Sequence, residues 1–398
     1  MFELRPILST LLRHKSGTLL LVLQIAITFS VVVNAISIID ERISMANHKS
    51  GLAEEQMFSF SMWGYLEGYD EEQNMRADIE LIRNIPGVID AVHLNQVPLS
   101  GNGDASGFAA SQADLDNRST STAGVLRTDH HGLNTLGVRL LEGRNFREDE
   151  VVSGDSTLDA NVALITKPLA DKLFPGESAL NKTLYAGTNQ STIIGVVEHM
   201  VGFWAHASFF NDNVIYPEFS QQRTLVRVET GSLDEVMGGI EQRLLDRDPN
   251  RVVSRLRTMS EMREFSYRGD TAMVTILWTV IVLLVAITGL GVVGSVSFSV
   301  NQRIKQIGTR RALGARKIDI QRYFLTENIL INAIGLSLGT ALAIGVNILL
   351  VDSFSVSPMN WVFIPVGLCA MFLLGLASVW FPAQKAAGIS PAIATQSI

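Results

Sequence analysis

The sequence predicts an α-helical integral membrane protein with four transmembrane helices and a large α+β domain inserted between the first and the second of them. Two observations support this prediction. The 398 residues are 47% hydrophobic and only 18% charged, and their mean hydropathy is +0.24, which is more apolar than soluble domains of this length require. The excess is concentrated in four long runs without a charged side chain, and a long charged segment separates the first run from the second.

Each of the four charge-free runs is long enough to cross a bilayer as a helix, for which about 20 residues suffice. We place the spans at 17–39, 271–300, 328–351 and 361–382. A secretory signal also begins after basic residues, but its apolar core usually has about 7–15 residues and ends at a small-residue cleavage site. Residues 36–40 are a poor cleavage site. We therefore expect the first run to be a retained helix.

The Lys and Arg residues of the short flanking segments predict the orientation. Segment 1–16 carries three of them, 301–327 carries seven and 383–398 carries one, whereas the short loop 352–360 carries none. Cytoplasmic flanks are enriched in Lys and Arg. We therefore expect the amphipathic segment 1–16, the segment 301–327 and the tail 383–398, and so both termini, in the cytoplasm. The loop 352–360 and the segment 40–270 then lie on the outer, periplasmic side.

Segment 40–270 has the pattern of a soluble α+β domain. It carries 21 of the 32 Lys and Arg residues and 35 of the 39 Asp and Glu residues, which gives a formal charge of −14. Long domains cross a membrane regardless of their charge. Short strand-like runs alternate irregularly with amphipathic helical runs, which favours α+β over a parallel α/β sheet. The stretch near 100–120 is rich in Gly, Ser, Ala and Asp and predicts a flexible loop.

The sequence offers no catalytic or metal-binding motif. Adjacent residues such as His130 and His131 point in different directions on any regular element, so they make a poor bidentate metal site. The single cysteine, Cys369, excludes an intrachain disulfide and a multi-cysteine metal site. H-E-x-x-H and G-x-S-x-G motifs are absent from the sequence. We expect this chain to have no catalytic residue and to bind no metal, cofactor or nucleic acid.

Two glycine patterns in the apolar runs predict helix packing. Gly289, Gly291 and Gly294 match G-x-G-x-x-G, but they lie in a charge-free run without a preceding strand, so a dinucleotide site is excluded. Gly335 and Gly339 form a G-x-x-x-G face of the kind that lets membrane helices approach closely.

The sequence also lacks a Gly-Lys dipeptide and hence a P-loop. We expect any ATP hydrolysis to reside in a partner chain.

Segment 301–327 is short, basic and compatible with a helix. It could be a cationic loop that only sets orientation and touches lipid headgroups, or a docking helix for a cytosolic partner that transmits the partner's movement. For the second alternative the docking residues are Arg303, Ile304, Gln306, Ile307, Gly308, Arg310, Arg311, Ala312, Leu313, Gly314, Ala315 and Arg316.

The residues of this segment favour docking. Residues 302–327 resemble the R-x-x-E-I-G-[IT]-R-[KR]-A-[LV]-G-A motif of MacB/FtsX-type ABC permeases and the I-x-x-x-[FY]-[LI]-x-E motif that follows it, and residues 382–392 resemble the closing motif of that family. The runs 137–146, 161–166, 169–175 and 192–197 resemble the MacB-type periplasmic core domain, so the resemblance extends nearly from end to end. One departure is Gln306, where the family usually has Glu, which removes one possible charge contact with an ATPase.

The resemblance implies a permease subunit of the cell inner membrane that works by mechanotransmission. A separate cytosolic ABC ATPase, present in two copies, would use ATP and Mg, and its closure would move the periplasmic domain through segment 301–327. The resemblance also implies a second permease subunit, in a homodimer or a heterodimer, and, in a three-part efflux assembly, a periplasmic adaptor and an outer-membrane channel. The cargo would be a drug, a peptide or a similar molecule. Two alternatives are an FtsX-like regulator of a periplasmic cell-wall hydrolase and a lipoprotein-extracting permease.

Overall fold

The computed structural model describes residues 15–67, 70–153, 160–219, 223–354 and 358–389. Most of the predicted cytoplasmic segments 1–16 and 383–398 therefore lies outside the described residues. The chain divides into two compact units. We call Asn47–Gly269 the inserted domain, and the chain on both sides of it, up to Ala46 and from Asp270, the membrane unit.

Eleven α-helices occur in the described residues. In chain order they are α1 (Lys15–Ala46), α2 (Glu71–Arg83), α3 (Gln112–Asp116), α4 (Gly132–Leu136), α5 (Lys167–Leu173), α6 (Leu233–Arg247), α7 (Met259–Ser266), α8 (Arg268–Gln302), α9 (Ile304–Ala312), α10 (Lys317–Phe354) and α11 (Phe363–Ala387).

Twelve strands are described, and all of them belong to the inserted domain. They are β1 (Met57–Gly64), β2 (Val88–Leu94), β3 (Asp104–Phe108), β4 (Ser121–Thr128), β5 (Leu140–Gly143), β6 (Val152–Ser153), β7 (Val162–Thr166), β8 (Thr183–Ala186), β9 (Asn189–Val197), β10 (Asn213–Phe219), β11 (Arg223–Val228) and β12 (Arg251–Thr258).

Four of the described helices, α1, α8, α10 and α11, are long and apolar enough to cross a membrane, and the inserted domain lies between the first two in the chain. The predicted fold class is therefore confirmed. The helices are longer than the charge-free runs. In particular, α10 begins at Lys317 instead of residue 328, so the second half of segment 301–327 is helix continuous with the third span.

The core of the membrane unit is built around α1. Ile25, Phe29 and Val33 recur at every fourth residue, so they lie on one face of the helix, and each is at most 1% exposed. They pack in one cluster with apolar residues of α8, α10 and α11. A second cluster joins α1 to α8 through residues such as Ile39 and Ile281.

Polar side chains inside the membrane unit bond between helices. The amide of Asn34 on α1 donates to the main-chain oxygen of Ala343 on α10 at 3.1 Å. The hydroxyls of Thr28 and Thr288 lie 2.8 Å apart, which links α1 to α8. In a bilayer such groups have no water to bond with, so these pairs specify which helix faces are neighbours.

The inserted domain contains two sheets. The first has the strand order β12-β1-β11-β2 and is antiparallel throughout. Because side chains alternate along a strand, Phe58 and Phe60 of β1 share one face. They pack there with Ile79 and Ile82 of α2 and with Ile240 of α6.

The second sheet has the order β3-β4-β10-β7-β9-β5, with β6 beside β10 and β8 beside β9. Its pairings are mixed. β4 with β10, β6 with β10 and β7 with β9 are parallel, whereas the other described pairs are antiparallel. This arrangement agrees with the expected α+β class and excludes an all-parallel sheet.

The prediction of a flexible loop near 100–120 is wrong where this stretch forms β3 and α3. β3 pairs antiparallel with β4 across its whole length, from Asp104 opposite Val125 to Phe108 opposite Ser121. α3 follows, and the hydroxyl of its N-cap Ser111 accepts from the Asp114 N–H. Local composition gave a misleading result here, because tertiary pairing with β4 overrides the weak strand propensity of Gly, Ser, Ala and Asp.

Candidate functional site: the coupling segment

The basic segment after α8 folds into the short helix α9, which ends in a glycine turn. Gly314 has a φ of +100°, which side-chain-bearing residues adopt at a cost. The Ala315 N–H donates to the Arg310 oxygen at 3.0 Å, and the Gly314 N–H donates to the Arg311 oxygen at 3.1 Å. This pair of bonds is a Schellman motif. It fixes the turn that presents Leu313.

One side of α9 packs into the membrane unit. Ile307 is only 4% exposed and belongs to the cluster around α1. Gly308 is also buried, and Ile304 is partly buried. These residues were predicted to contact a partner. The structure places Ile307 against the protein's own helices, where it positions α9.

The other side of α9 and its turn are exposed. Leu313 is 84% exposed, and Ile318 at the start of α10 is 49% exposed. The exposed residues of the predicted docking set are Gln306, Arg310, Ala312, Leu313, Gly314 and Arg316, with Ala315 partly buried. A single exposed leucine is ordinary on a protein surface. This one lies at the tip of a capped turn among cations, which is the geometry of an apolar anchor with a charged rim.

Arg303 ties the start of α9 to α10. Its guanidinium donates to both carboxylate oxygens of Glu327, at 3.0 and 3.2 Å, and to the Tyr323 hydroxyl at 3.2 Å. The two charged side chains are 12% and 11% exposed. A bidentate pair of this kind is geometrically specific, and removing one partner leaves a poorly solvated charge. Arg303 therefore holds α9 in place instead of presenting a free charge.

Arg311 ties α9 to the end of α11. Its Nη1 donates to the main-chain oxygens of Ala387 at 2.8 Å and Ile389 at 3.1 Å. The last carbonyls of a helix lack partners within the helix and carry a partial negative charge, so a guanidinium is a suitable partner for them. Arg303 thus fixes the start of α9 to α10 and Arg311 fixes its end to α11, so α9 is held by two membrane helices. The sequence spacing gave no signal for either contact.

Three of the five predicted helix-packing glycines lie at close approaches. A Cβ at Gly339 would lie 3.0 Å from the Ala26 oxygen, and one at Gly335 would lie 2.9 Å from the Ile25 side chain, so both let α10 approach α1. A Cβ at Gly291 would lie 2.8 Å from the Gln24 side chain. A Cβ at Gly289 would make only ordinary contact, and one at Gly294 would meet nothing within 4 Å.

Two further close approaches were missed by the sequence analysis. A Cβ at Gly367 on α11 would lie 2.9 Å from the Val33 side chain, and one at Gly375 would lie 2.1 Å from the Asn332 amide. The glycines are eight residues apart in the fourth span, which places them on roughly the same helix face. That spacing was a usable signal.

The histidine pair of the inserted domain is part of a polar cluster. His131 Nδ1 lies 2.9 Å from Asp90 Oδ1, and the main-chain oxygen of His130 accepts from the Asn145 amide at 2.7 Å. Within the part of the chain that the structure describes, no group of three or more His, Cys, Asp or Glu side chains is placed to hold a metal ion.

Comparisons with known proteins match both parts of the chain. Residues 18–246 match the family described as MacB-like periplasmic core domain, and residues 278–391 match FtsX-like permease C-terminal. The macrolide export ATP-binding/permease protein MacB of Chromobacterium violaceum is 26% identical over 286 residues, which cover 68% of this chain and 42% of that protein. The MacB 2 protein of Yersinia pestis is 30% identical over 274 residues, which cover 64% of this chain and 38% of that protein.

The chain thus spans about two fifths of the length of these relatives. Among solved structures, the periplasmic region of MacB from Actinobacillus actinomycetemcomitans is 13% identical, with a TM-score of 0.33, and the match covers 56% of this chain and 97% of that one. The family assignment depends on the two family matches and the sequence relatives.

Proposed function

The chain belongs to the family of MacB-like and FtsX-like ABC permeases, and we propose that it couples ATP hydrolysis by a separate cytosolic ATPase to movement of its periplasmic domain. Membership in this family identifies a transmembrane transporter subunit with a MacB-like periplasmic core domain. The proposal adds mechanotransmission, and export of a drug, a peptide or a similar cargo as the outcome.

The observation that carries the proposal is the two-sided arrangement of α9. Its outer side presents Leu313, 84% exposed, among arginines. Its inner side is fixed to α10 through Arg303 and to α11 through Arg311. A partner that pushes on Leu313 would therefore move membrane helices instead of bending a free loop. This is the mechanical requirement for a coupling element.

The proposed location is the cell inner membrane, with both termini in the cytoplasm. The seven Lys and Arg residues of segment 301–327 support this orientation, because cytoplasmic loops are enriched in them. The four apolar runs carry no charged side chain, which argues against an ion pathway through the helices. Cargo need not cross the bilayer through this chain.

The proposed partners follow from the same reasoning. The relatives' names include an ATP-binding part. In the proposal, ATP and Mg are used by a partner ATPase, present in two copies. A second permease subunit, a periplasmic adaptor and an outer-membrane channel complete the proposed assembly. No cofactor is assigned to this chain.

Replacing Leu313 by Asp tests the proposal. The variant and the matched control Leu313→Met are co-expressed with the ATPase and reconstituted in nanodiscs. Because Leu313 makes no buried contact, both variants should insert and fold. We expect Leu313→Asp to lose ATPase association and the ATP-dependent change in hydrogen exchange of the periplasmic domain, and Leu313→Met to retain both. Wild-type behaviour of Leu313→Asp would count against docking at this turn.

A further inference from the structure

The connection between β9 and β10 is unusually aromatic, and part of it lines a cleft in the inserted domain. The cleft has a volume of about 620 Å³. Its walls include the rings of Trp204 and Phe209 from this connection and of Phe265 from α7, with His206 and Gly101 beside them. Pockets for small molecules typically have volumes of about 300–1,000 Å³ and mostly apolar walls. The cleft therefore has the size and lining of a ligand site.

Two of the rings that line the cleft pack on each other and on a buried neighbour. Trp204 meets Phe209 edge to face at 5.9 Å between ring centroids. Phe203, directly before Trp204, is only 2% exposed, whereas Phe265 is 55% exposed. The cost of leaving a phenylalanine ring in water is avoided when an apolar ligand covers it.

The backbone of the cleft wall is also fixed. The Leu99 N–H donates to the Gly202 oxygen and the Gly101 N–H to the Phe203 oxygen, both at 2.9 Å. Leu99 has a φ of +63°, a conformation that a bulky side chain rarely adopts and that persists only where the surrounding structure holds it. The two backbone segments of the wall, 99–101 and 202–203, are therefore held together by hydrogen bonds.

A cation lies against one of the rings that line the cleft. The guanidinium of Arg257 on β12 lies 5.5 Å from the centroid of the Phe265 ring. Arg251 and Arg263, near it in the chain, are paired with Asp78 and Glu54. In the described part of the chain, Arg257 has no such acidic partner within ion-pair distance. The exposed guanidinium of Arg257 is therefore available to an anion that lies near the Phe265 ring.

We propose that this cleft binds an amphiphile with an anionic head group. The apolar chain would lie against Trp204, Phe209 and Phe265, and the carboxylate or phosphate would accept charge-assisted hydrogen bonds from Arg257. The chemistry is the same whether the ligand comes from the bilayer or is soluble cargo. Only its description as cargo rests on the proposed transport function.

The test uses the full chain in phosphatidylcholine nanodiscs and dodecanoate that carries a diazirine at its far end. After illumination, we expect labelled peptides from 203–209 and 265–266. Unlabelled dodecanoate should compete at about one tenth of the concentration at which dodecyltrimethylammonium competes, because one charge-assisted contact is equivalent to about a tenfold change in affinity. Equal competition by the two amphiphiles, or labelling outside the cleft, would overturn the proposal.

Substitutions at exposed residues test the cleft and the role of Arg257. Phe265→Ser should reduce labelling of the cleft several-fold, whereas Trp63→Ser, which removes another exposed ring at 44% exposure, should leave it unchanged. Arg257→Gln should abolish the preference for dodecanoate, and Arg255→Gln on the same strand should retain it. Unchanged labelling in Phe265→Ser would contradict the site.

The source of the ligand is distinguished by repeating the labelling in phosphatidylglycerol nanodiscs. Suppressed labelling identifies bilayer lipid as the source, and persistent labelling identifies a soluble amphiphile. Both results support a site for anionic amphiphiles. No ATPase is needed for these measurements, so the two proposals can fail separately. If the cleft is labelled but the ATPase does not dock at Leu313, only the coupling function is contradicted. If the ATPase docks but the cleft is not labelled, only the ligand site is contradicted.

Discussion

The guanidinium of Arg311 lies 2.8 Å from the main-chain oxygen of Ala387, and this contact fixes the short helix α9 to the end of the last described membrane helix. Arg310, its neighbour in sequence, is exposed and stacks over the Tyr323 ring at 5.3 Å. Adjacent residues of one helix thus have separate roles. Arg311 holds the helix, whereas Arg310 faces the side on which we place the ATPase.

Replacing Arg311 by Gln should separate transmission from docking. The variant loses both carbonyl contacts, so we expect it to retain ATPase association and to lose the ATP-dependent hydrogen-exchange change of the periplasmic domain. Arg310→Gln is the matched comparison and should weaken association instead. Co-purification and hydrogen exchange measure the two effects. Loss of ATPase association in Arg311→Gln alone would show that this arginine belongs to the docking surface.

The pair formed by Arg303 and Glu327 should show strong coupling in a double-mutant cycle. Because both side chains are nearly buried, each single change to Gln should destabilise the protein by about 3–5 kcal/mol, and the double variant should recover part of that loss. Thermal unfolding in a fixed detergent measures this. Lys167→Gln removes an exposed pair with Asp171 and should leave the melting temperature unchanged. Additive losses at 303 and 327 would argue against the pair.

Gly339 should tolerate a methyl group poorly. A Cβ there would lie 3.0 Å from the Ala26 oxygen, whereas one at Gly345 on the same helix would meet nothing within 4 Å. We expect Gly339→Ala to lower stability by about 1–3 kcal/mol through overpacking, and Gly345→Ala to be neutral or slightly stabilising. Both variants are compared by thermal unfolding. Equal stability of the two would mean that α1 and α10 are not closely packed at this point.

His93 should make the periplasmic domain less stable as the pH falls. The buried ring donates from Nε2 to the Met75 oxygen and accepts at Nδ1 from Thr224, which satisfies the neutral form. Burial lowers the pKa of His93 from its usual value of 6.5. Below pH 6.5 the unfolded chain therefore binds a proton at His93 that the folded chain does not bind. The free energy of unfolding then decreases with falling pH by at most about 1.4 kcal/mol per pH unit.

Unfolding of the full chain in detergent between pH 5 and 7.5 measures this dependence. The variant His93→Gln retains a donor for the Met75 oxygen but does not titrate in this range. Its stability should depend less on pH than that of the wild type. An identical pH dependence would assign the effect to other groups.

Some features of the molecule could be predicted from the sequence, and others could not. The four spans could be predicted because a charge inside a bilayer is costly. Long charge-free runs therefore indicate membrane helices without further information. β3 was missed because its residues have low strand propensity and only the pairing with β4 stabilises it. The inward position of Ile307 and the pair of Arg303 with Glu327 were also missed. They depend on how α9 turns back onto α10, and no sequence period encodes that.

The most direct test of docking at Leu313 is photo-crosslinking from that position in cells. With benzoylphenylalanine in place of Leu313, we predict an adduct whose partner, identified by mass spectrometry, is an ABC ATPase subunit. The same substitution at Gly345, which faces open space within α10, should give no such adduct. Failure to capture a nucleotide-binding subunit from position 313, or reaction of a cysteine at 313 with an impermeant reagent from outside the cell, would contradict the coupling function.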